Sequence, residues 1–375
     1  MRLVQFVNNL DMGGLERMVL DLAQCQRAEG HETAIYCLTH PGRLAADAER
    51  SGIKVHAFEK PGGPSPGIVF KIARQLRIDR PDVLHSHNHL VHHYGVVAGK
   101  LAGVPVLVNT RHGSERVMSS SPTGSFVSTI PVDRRSDLIY RATLPFVDSV
   151  VLISEATRRF YVQHRGVPAS KARVILNGAH LEKFLHSPAH PGGSPPRVRF
   201  GTAARLVPVK DHYTLLRAFA TVVREIPHAQ LAIAGDGPLR QELEAFTRKL
   251  NLTQRVTFIG ALPDTPKFLS ELDVFVLSSL SEGMPISLLE AMAAGLPIVS
   301  TRAGGVDEVA IEGKNAFISE PADVDGLARA MIKMASRSDL AEMGALGREK
   351  VKTGFRIENS WAEYHKLFLS LGAKP

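Results

Sequence analysis

The chain has 375 residues, 44% hydrophobic and 22% charged, with a formal net charge of +8. This is the composition of a globular protein long enough for two domains, and it excludes a disordered or fibrous chain. Two cysteines, Cys25 and Cys37, exclude a disulfide framework. The short run Leu3–Val7 is too brief for a leader or a spanning helix, so a cytoplasmic protein with at most peripheral membrane contact is expected.

Along the chain, short β-branched runs alternate with longer amphipathic ones. "LVQFVN" predicts a strand, and Gly13–Gly30 a helix. Strands follow at "ETAIYCLT", "IKVHAF", "DVLHSH", "PVLVNT" and "SVVLIS". Arg111–Tyr140 breaks the rhythm and predicts a long insertion without periodic structure. Ser187–Arg197, rich in Pro and Gly, predicts a linker. Beyond it the alternation restarts with "VRFGTAARL", a helix in Asp211–Ile226, then "AQLAIAG", "RVTFIG", "DVFVLSS", "PIVST" and "NAFIS". Such alternation predicts parallel, doubly wound α/β sheets with ligands at the carboxyl ends of the strands. The expected domains are 1–187, a linker at 188–197, a second domain at 198–356, and a helix within 357–375. That last helix holds Trp361 and is expected to pack back across the domain junction.

Chemistry-bearing residues fall at these strand ends. Glu282 and Gly283 lie in the loop after "DVFVLSS", and Glu290 lies inside the following helix. Gly295 and Pro297 stop that helix. Its amino end offers unpaired N–H groups to a phosphate. The two glutamates sit in different places, which argues for two hydroxyl-binding carboxylates rather than one acid–base pair. Arg205 and Lys210, at the end of "GTAARLVPVK", can meet a pyrophosphate through a guanidinium fork and a mobile ammonium. Gly235 in "AGDGP" and Gly13–Gly14 in "DMGGLER" mark close turns. Neither is G-x-G-x-x-G, and no P-loop or nucleophile elbow occurs. Each of these residues also has an ordinary alternative: a surface cation, a helix-face carboxylate or a structural turn.

As an ordered set, "MGGLERMVLDLA", "VILNGAH", "GTAARLVPVKD", "AGDGPLR", "VTFIG", "DVFVLSS" and "EGMPISLLEAMAAGLPIVSTRAGGVDEV" resemble the retaining nucleotide-sugar glycosyltransferases of glycosyltransferase family 4. The look is closest to bacterial polysaccharide-assembly members. The resemblance implies the GT-B fold, two facing Rossmann-like domains with an interdomain cleft. It implies a UDP- or GDP-sugar donor, a saccharide or lipid-linked hydroxyl acceptor, retention of configuration, and no metal or other cofactor. By the same resemblance Glu290 would hold the donor ribose and Glu282 the transferred sugar. The backbone of Gly283, Met284, Pro285, Ile286 and Ser287 would hold sugar and phosphate. Arg205 and Lys210 would hold the leaving diphosphate and Gly14 the distal phosphate. His112 in "NTRHG" would stand near the C6 side of the donor sugar.

The run "HSHNHLVHH" carries five of the sixteen histidines, His85, His87, His89, His92 and His93. A continued strand would put His85, His87 and His89 on one face. Zinc is disfavoured for want of partner ligands in register. His87 and His89 are instead candidates for the acceptor side. The positive charge suits phosphates and an anionic membrane face, with the segment Ser119–Arg135 as a candidate membrane-facing loop. The absence of a basic run argues against nucleic acid. A nucleotide-sugar epimerase on the same fold is the alternative activity. A pyridoxal-phosphate phosphorylase and a non-catalytic carbohydrate binder are weaker rivals.

Overall fold

The computed structural model describes residues 1–11, 13–113, 117–120, 126–129, 134–185, 198–262 and 264–374, with backbone alone at 117–120, 126–129 and 134–135. The chain forms two compact units. The first comprises the described residues of Met1–Ser114, Val132–Ala179 and Arg356–Pro375, the second those of Glu115–Pro131 and His180–Phe355.

In chain order the strands are β1 (Arg2–Val7), β2 (Glu32–Cys37), β3 (Lys54–Ala57), β4 (Val83–His87), β5 (Val106–Arg111), β6 (Val117–Ser120), β7 (Phe126–Thr129), β8 (Ser149–Leu152) and β9 (Ala172–Val174). They continue as β10 (Arg199–Ala203), β11 (Gln230–Ala234), β12 (Val256–Gly260), β13 (Val274–Leu277), β14 (Ile298–Thr301) and β15 (Ala316–Ser319). The first unit holds a seven-stranded sheet ordered β3-β2-β1-β4-β5-β8-β9, and the second a six-stranded sheet ordered β12-β11-β10-β13-β14-β15. All pairings in both sheets are parallel. Strand order reverses between β1 and β4 in one sheet and between β10 and β13 in the other. In open parallel sheets ligands bind beside such reversals, outside the strands' carboxyl ends.

Helices cover both faces, which is why the central strands are buried throughout rather than alternating. On one face of the first sheet the side chains grade along the strands. Leu3, Val83 and Val106 are apolar, Gln5 and His85 are neighbours in register, and His87 and Thr110 lie at the carboxyl end. The apolar end anchors the sheet, and the polar end prepares the edge at which ligands bind.

The expected insertion contains three elements: β6 and β7 pair antiparallel, and a helix spans Arg134–Thr143. The expected linker lies outside the described residues. The contact boundary falls at Ala179/His180, earlier than the expected 187. The reason is the short helix Glu182–Leu185, which packs on helix Ile286–Ala293 of the second unit and buries Phe184 completely.

The terminal helix Ile357–Ser370 belongs to the first unit, where it packs against helix Gly14–Ala28. Trp361, Tyr364 and Phe368 enter the core that also holds Leu3, Val7 and Val19. The Trp361 indole N–H donates to Glu29 Oε2 at 2.7 Å, and the Ser360 hydroxyl donates to the Leu176 carbonyl at 2.6 Å. Trp361→Ala removes a fully buried ring and leaves a cavity, so a loss of about 3–5 kcal/mol is expected. Thermal melts of that variant should show a lowered first-unit transition; an unshifted melt would contradict the packing.

Candidate functional site

In the second unit, β10 runs into Arg205 and then a 3-10 turn, Pro208–Lys210. Asp211 follows in a left-handed conformation, with φ of 48°, and its carboxylate accepts from the Thr214 N–H at 3.1 Å to open helix His212–Glu225. From the neighbouring strand β13, the loop Ser278–Pro285 leads into helix Ile286–Ala293. The two loops are laced together. Lys210 Nζ donates to Glu282 Oε1 at 2.5 Å, and the Ser279 hydroxyl donates to the same oxygen at 2.6 Å. The Ser278 hydroxyl donates to the Lys210 carbonyl at 2.9 Å, and the Leu280 N–H to the Val209 carbonyl at 2.8 Å. The Lys210 and Glu282 side chains are 18% and 11% exposed, so their attraction is screened far less than a surface pair's. Arg205, on the loop that leaves β10, is exposed, and its side chain makes no hydrogen bond or ion pair among the described residues.

Helix Ile286–Ala293 begins after Pro285, and no side chain caps its amino end. Its first-turn N–H groups at Ile286 and Ser287 are therefore open to an anion. At its other end Gly295, at φ of 80°, closes the helix. The Leu296 N–H reaches the Ala291 carbonyl and the Gly295 N–H the Met292 carbonyl, a Schellman pattern. Glu290 lies inside the helix, 3.4 Å from the Thr265 hydroxyl. Gly235, at φ of 141°, is required by packing. A Cβ there would sit 1.9 Å from the Ala204 carbonyl oxygen.

Sequence reading missed the residues that shape the Glu282 loop. The Thr301 hydroxyl donates to the Ser279 carbonyl at 2.5 Å and the Gly305 N–H to the Gly283 carbonyl at 2.9 Å. Gly304, at φ of 65°, lies so close to the Glu282 backbone that a Cβ would fall 1.8 Å from its carbonyl oxygen. The one signal was the pair Gly304–Gly305, which two residues separate from the end of β14.

In the first unit, β1 leads to Gly13 and Gly14, where helix Gly14–Ala28 begins. Gly13 is extended, at φ of −162°, and a Cβ there would meet only the movable Glu16 carboxylate. The histidines divide into two groups, because β4 ends at His87 and a helix, His89–Ala102, begins at once. His89 therefore does not continue the strand face of His85 and His87. Asn88, at φ of 70°, makes the corner, and its side-chain oxygen takes the His112 backbone N–H at 3.1 Å. His85 and His87 point into the sheet's polar face. The His85 ring bonds the Thr110 hydroxyl at 2.7 Å, and Thr110 bonds Tyr364 OH at 3.0 Å. His87 places Nε2 at 2.7 Å from Gln5 Oε1 and Nδ1 at 2.9 Å from His112 Nε2. His87 is 2% exposed with both ring nitrogens taken, so it has none left for an acceptor substrate. The helical group gathers His89, His93 and Ser136, with His89 stacked on Tyr140. The Arg111 guanidinium lies between the Tyr140 and Tyr161 rings, at 5.0 and 4.9 Å from their centroids. Among the described residues, no three His, Cys, Asp or Glu side chains are disposed to hold a metal.

Two family profiles match the chain. "Glycosyltransferase Family 4" covers residues 12–183 and "Glycosyl transferases group 1" covers 194–348. The chain is 28% identical over 320 residues to the Escherichia coli UDP-Gal:alpha-D-GlcNAc-diphosphoundecaprenol alpha-1,3-galactosyltransferase, spanning 81% of this chain and 79% of that one. It is 26% identical over 316 residues to the Bacillus anthracis N-acetyl-alpha-D-glucosaminyl L-malate synthase, at 80% and 78% coverage. The crystal structure of Anabaena Alr3699/HepE in complex with UDP and glucose superposes with a TM-score of 0.80 at 21% identity, covering 98% of this chain and 99% of that one. Sucrose-phosphate synthase from Thermosynechococcus elongatus gives a TM-score of 0.78 at 19% identity, at 99% of both chains. The fold is GT-B. The chain belongs to glycosyltransferase family 4 and is a glycosyltransferase.

Burial sets the protonation of the first unit's histidines. It pushes His85 down to about 3, helped by His112, and His112 down to about 3, helped by Arg111. His87 is held well below the usual range by burial and then by His85 and His112. These rings stay neutral in the folded protein, whereas the unfolded chain protonates them near 6.5. Their contribution to stability is thus complete above about pH 6.5 and is lost as pH falls toward the folded values. The slope is about 1.4 kcal/mol per pH unit for each histidine. Urea titrations at about pH 7.5 and about pH 5.5 should show a clear acid-side loss. Equal midpoints would contradict the buried neutral cluster.

Proposed function

We propose that the protein transfers a sugar, with retention, from a UDP- or GDP-linked sugar to a hydroxyl of a saccharide or lipid-linked acceptor in bacterial polysaccharide or glycolipid assembly. The observation that carries this is the gathering of Arg205, Lys210 and Glu282 on the loops of β10 and β13, the two strands flanking the order reversal. Beside them stands the uncapped amino end of helix Ile286–Ala293. Two cations and a helix amino end suit a diphosphate, and Glu282, which already accepts two hydrogen bonds through Oε1, suits a sugar hydroxyl at its other oxygen. Glu290 is assigned to ribose hydroxyls, and Gly283, Met284, Pro285, Ile286 and Ser287 to sugar and phosphate through their backbone. In the first unit, His112 is assigned to a substrate hydroxyl and Gly13–Gly14 to phosphate. The E. coli relative's name specifies a UDP-sugar and a diphosphoundecaprenol-linked acceptor, in keeping with this reading.

In the proposed step the bond from the anomeric carbon to the diphosphate oxygen breaks, and a bond to the acceptor oxygen forms on the same face. The acceptor's proton passes to the departing phosphate oxygen. Charge develops on the diphosphate, so Arg205, Lys210 and the helix amino end supply the main stabilisation. No resident metal or other cofactor is assigned a part. The epimerase alternative is disfavoured. It needs a carboxylate free to exchange protons with the ring, and Glu282 is held by Lys210 and Ser279. Arg205 is exposed, so Arg205→Ala should leave the melting temperature unchanged while cutting kcat by about 10²-fold. Turnover near wild type would remove Arg205 from the diphosphate.

An anionic membrane face is the proposed partner of the first unit. No helix among the described residues is long and apolar enough to cross a membrane. The segment Ser119–Arg135 lies largely outside the described residues. The neighbouring helices Pro66–Asp79, His89–Ala102 and Arg134–Thr143 present the exposed side chains Phe70, Ile78, Leu90, Val97, Leu101, Leu138 and Ile139. Lys71, Arg74, Arg77, Lys100 and Arg141 stand exposed on the same helices, while their carboxylates Asp79 and Asp137 are drawn inward into pairs. Apolar side chains with interspersed cations suit an anionic leaflet. Sedimentation with anionic vesicles should be strong at low salt and weakened by high salt and by Phe70→Ser with Ile78→Ser. No sedimentation at low salt would exclude the membrane partner.

A further inference from the structure

We propose that Gln5 and His87 are positioning residues that hold His112 in one tautomer, with its proton on Nε2 and a bare lone pair on Nδ1, so that His112 accepts a hydrogen bond from a substrate hydroxyl. The substrate half of this statement rests on the glycosyl-transfer reading; the tautomer does not.

The polarity starts away from the strand ends, in the core. Gln26 Oε1 receives the Gln5 side-chain N–H at 3.2 Å and the Thr33 hydroxyl at 3.4 Å. With its nitrogen turned to Gln26, Gln5 presents its oxygen to His87 Nε2 at 2.7 Å. An amide oxygen only accepts, so His87 carries its proton on Nε2. Burial keeps that ring neutral, and its Nδ1 is therefore a lone pair. His112 Nε2 stands 2.9 Å from that lone pair and must donate to it. His112 is also neutral, so its Nδ1 is bare, and that nitrogen is buried without a partner among the described residues. Three further contacts fix the ring's backbone. The His112 N–H bonds Asn88 Oδ1, and the Asn109 side chain donates to the Asn88 carbonyl at 3.2 Å and the Ser86 carbonyl at 3.1 Å. The relay crosses β1, β4 and the end of β5 and contains no charged group. It orients an acceptor without raising its basicity, as a carboxylate in Gln5's place would do.

The test begins on the free wild-type protein. With histidine labelled in ¹⁵N, two-bond proton–nitrogen correlations report which ring nitrogen bears the proton, and His112→Gln identifies the His112 signals. Nε2–H on both His87 and His112 is expected. A proton on His112 Nδ1 would reverse the relay and overturn the proposal. This outcome needs no substrate, so it stands apart from whether the chain transfers a sugar. In turnover assays, His87→Asn keeps an amide oxygen close to the place of Nδ1 and should stay within about threefold of wild type in kcat. His87→Leu should lose about tenfold or more in kcat, with less change in donor KM, and should show His112 in mixed tautomers. A His87→Leu protein with wild-type kcat and an unmixed His112 signal would overturn the positioning role.

Discussion

In a parallel sheet every strand ends on the same side, and this constraint organises the chain. Loops leaving the carboxyl ends collect at one edge of each sheet, and the order reversal opens a gap between neighbouring loops. Both sheets begin with the same order: a first strand with its second and third neighbours on one side and its fourth and fifth on the other. In each, the candidate residues lie at the carboxyl ends of the first strand and of the strands just past the reversal. Gly13 and His112 follow β1 and β5, and His87 ends β4; Arg205, Lys210 and Glu282 follow β10 and β13. Strands β4 and β5 begin on the buried apolar residues Val83 and Val106, so in these two packing and polar chemistry are separated along the strand.

The two edges differ electrostatically. The second unit holds a charged pair, Lys210 with Glu282, beside the exposed Arg205. The first holds neutral imidazoles that burial keeps from protonating. A charged edge suits a diphosphate whose negative charge grows as a bond breaks. A neutral edge suits hydroxyls, which need orientation more than compensation. Lacing the β10 and β13 loops through Lys210, Ser278 and Ser279 places the cation and the carboxylate before any ligand arrives, which lowers the cost of ordering them on binding.

Much of this was legible from residue pattern alone. Strand–helix alternation marked twelve of the fifteen strands among the described residues, all but β6, β7 and β9. Glu282, Arg205 and Lys210 stood out because each carries charge at a predicted strand end or helix start, whereas Glu290, inside its helix, stood out through the motif that carries the resemblance. What stayed hidden depended on distant partners. Gln5 looks like an ordinary polar interruption in an apolar strand until His87, 82 residues away, is brought beside it. Gly304 matters only because its backbone presses on Glu282. The five-histidine run read as one feature, yet the turn at Asn88 divides it into a strand group and a helix group. The boundary at Ala179 escaped notice because the short helix after it has no composition signal and owes its allegiance to one buried side chain, Phe184.

The proposed division of labour in the second unit assigns Glu290 to the nucleoside, and Lys210 and Glu282 to the diphosphate and sugar. Calorimetric titration of wild type, Glu290→Gln and Glu282→Gln with a nucleoside diphosphate and with its sugar conjugate tests it most directly. Glu290→Gln should weaken both ligands by a similar factor, about tenfold or more. Glu282→Gln should leave the nucleoside diphosphate bound and abolish the added affinity of the sugar. If Glu282→Gln weakens both ligands equally and Glu290→Gln weakens neither, the assignment of the two carboxylates is wrong.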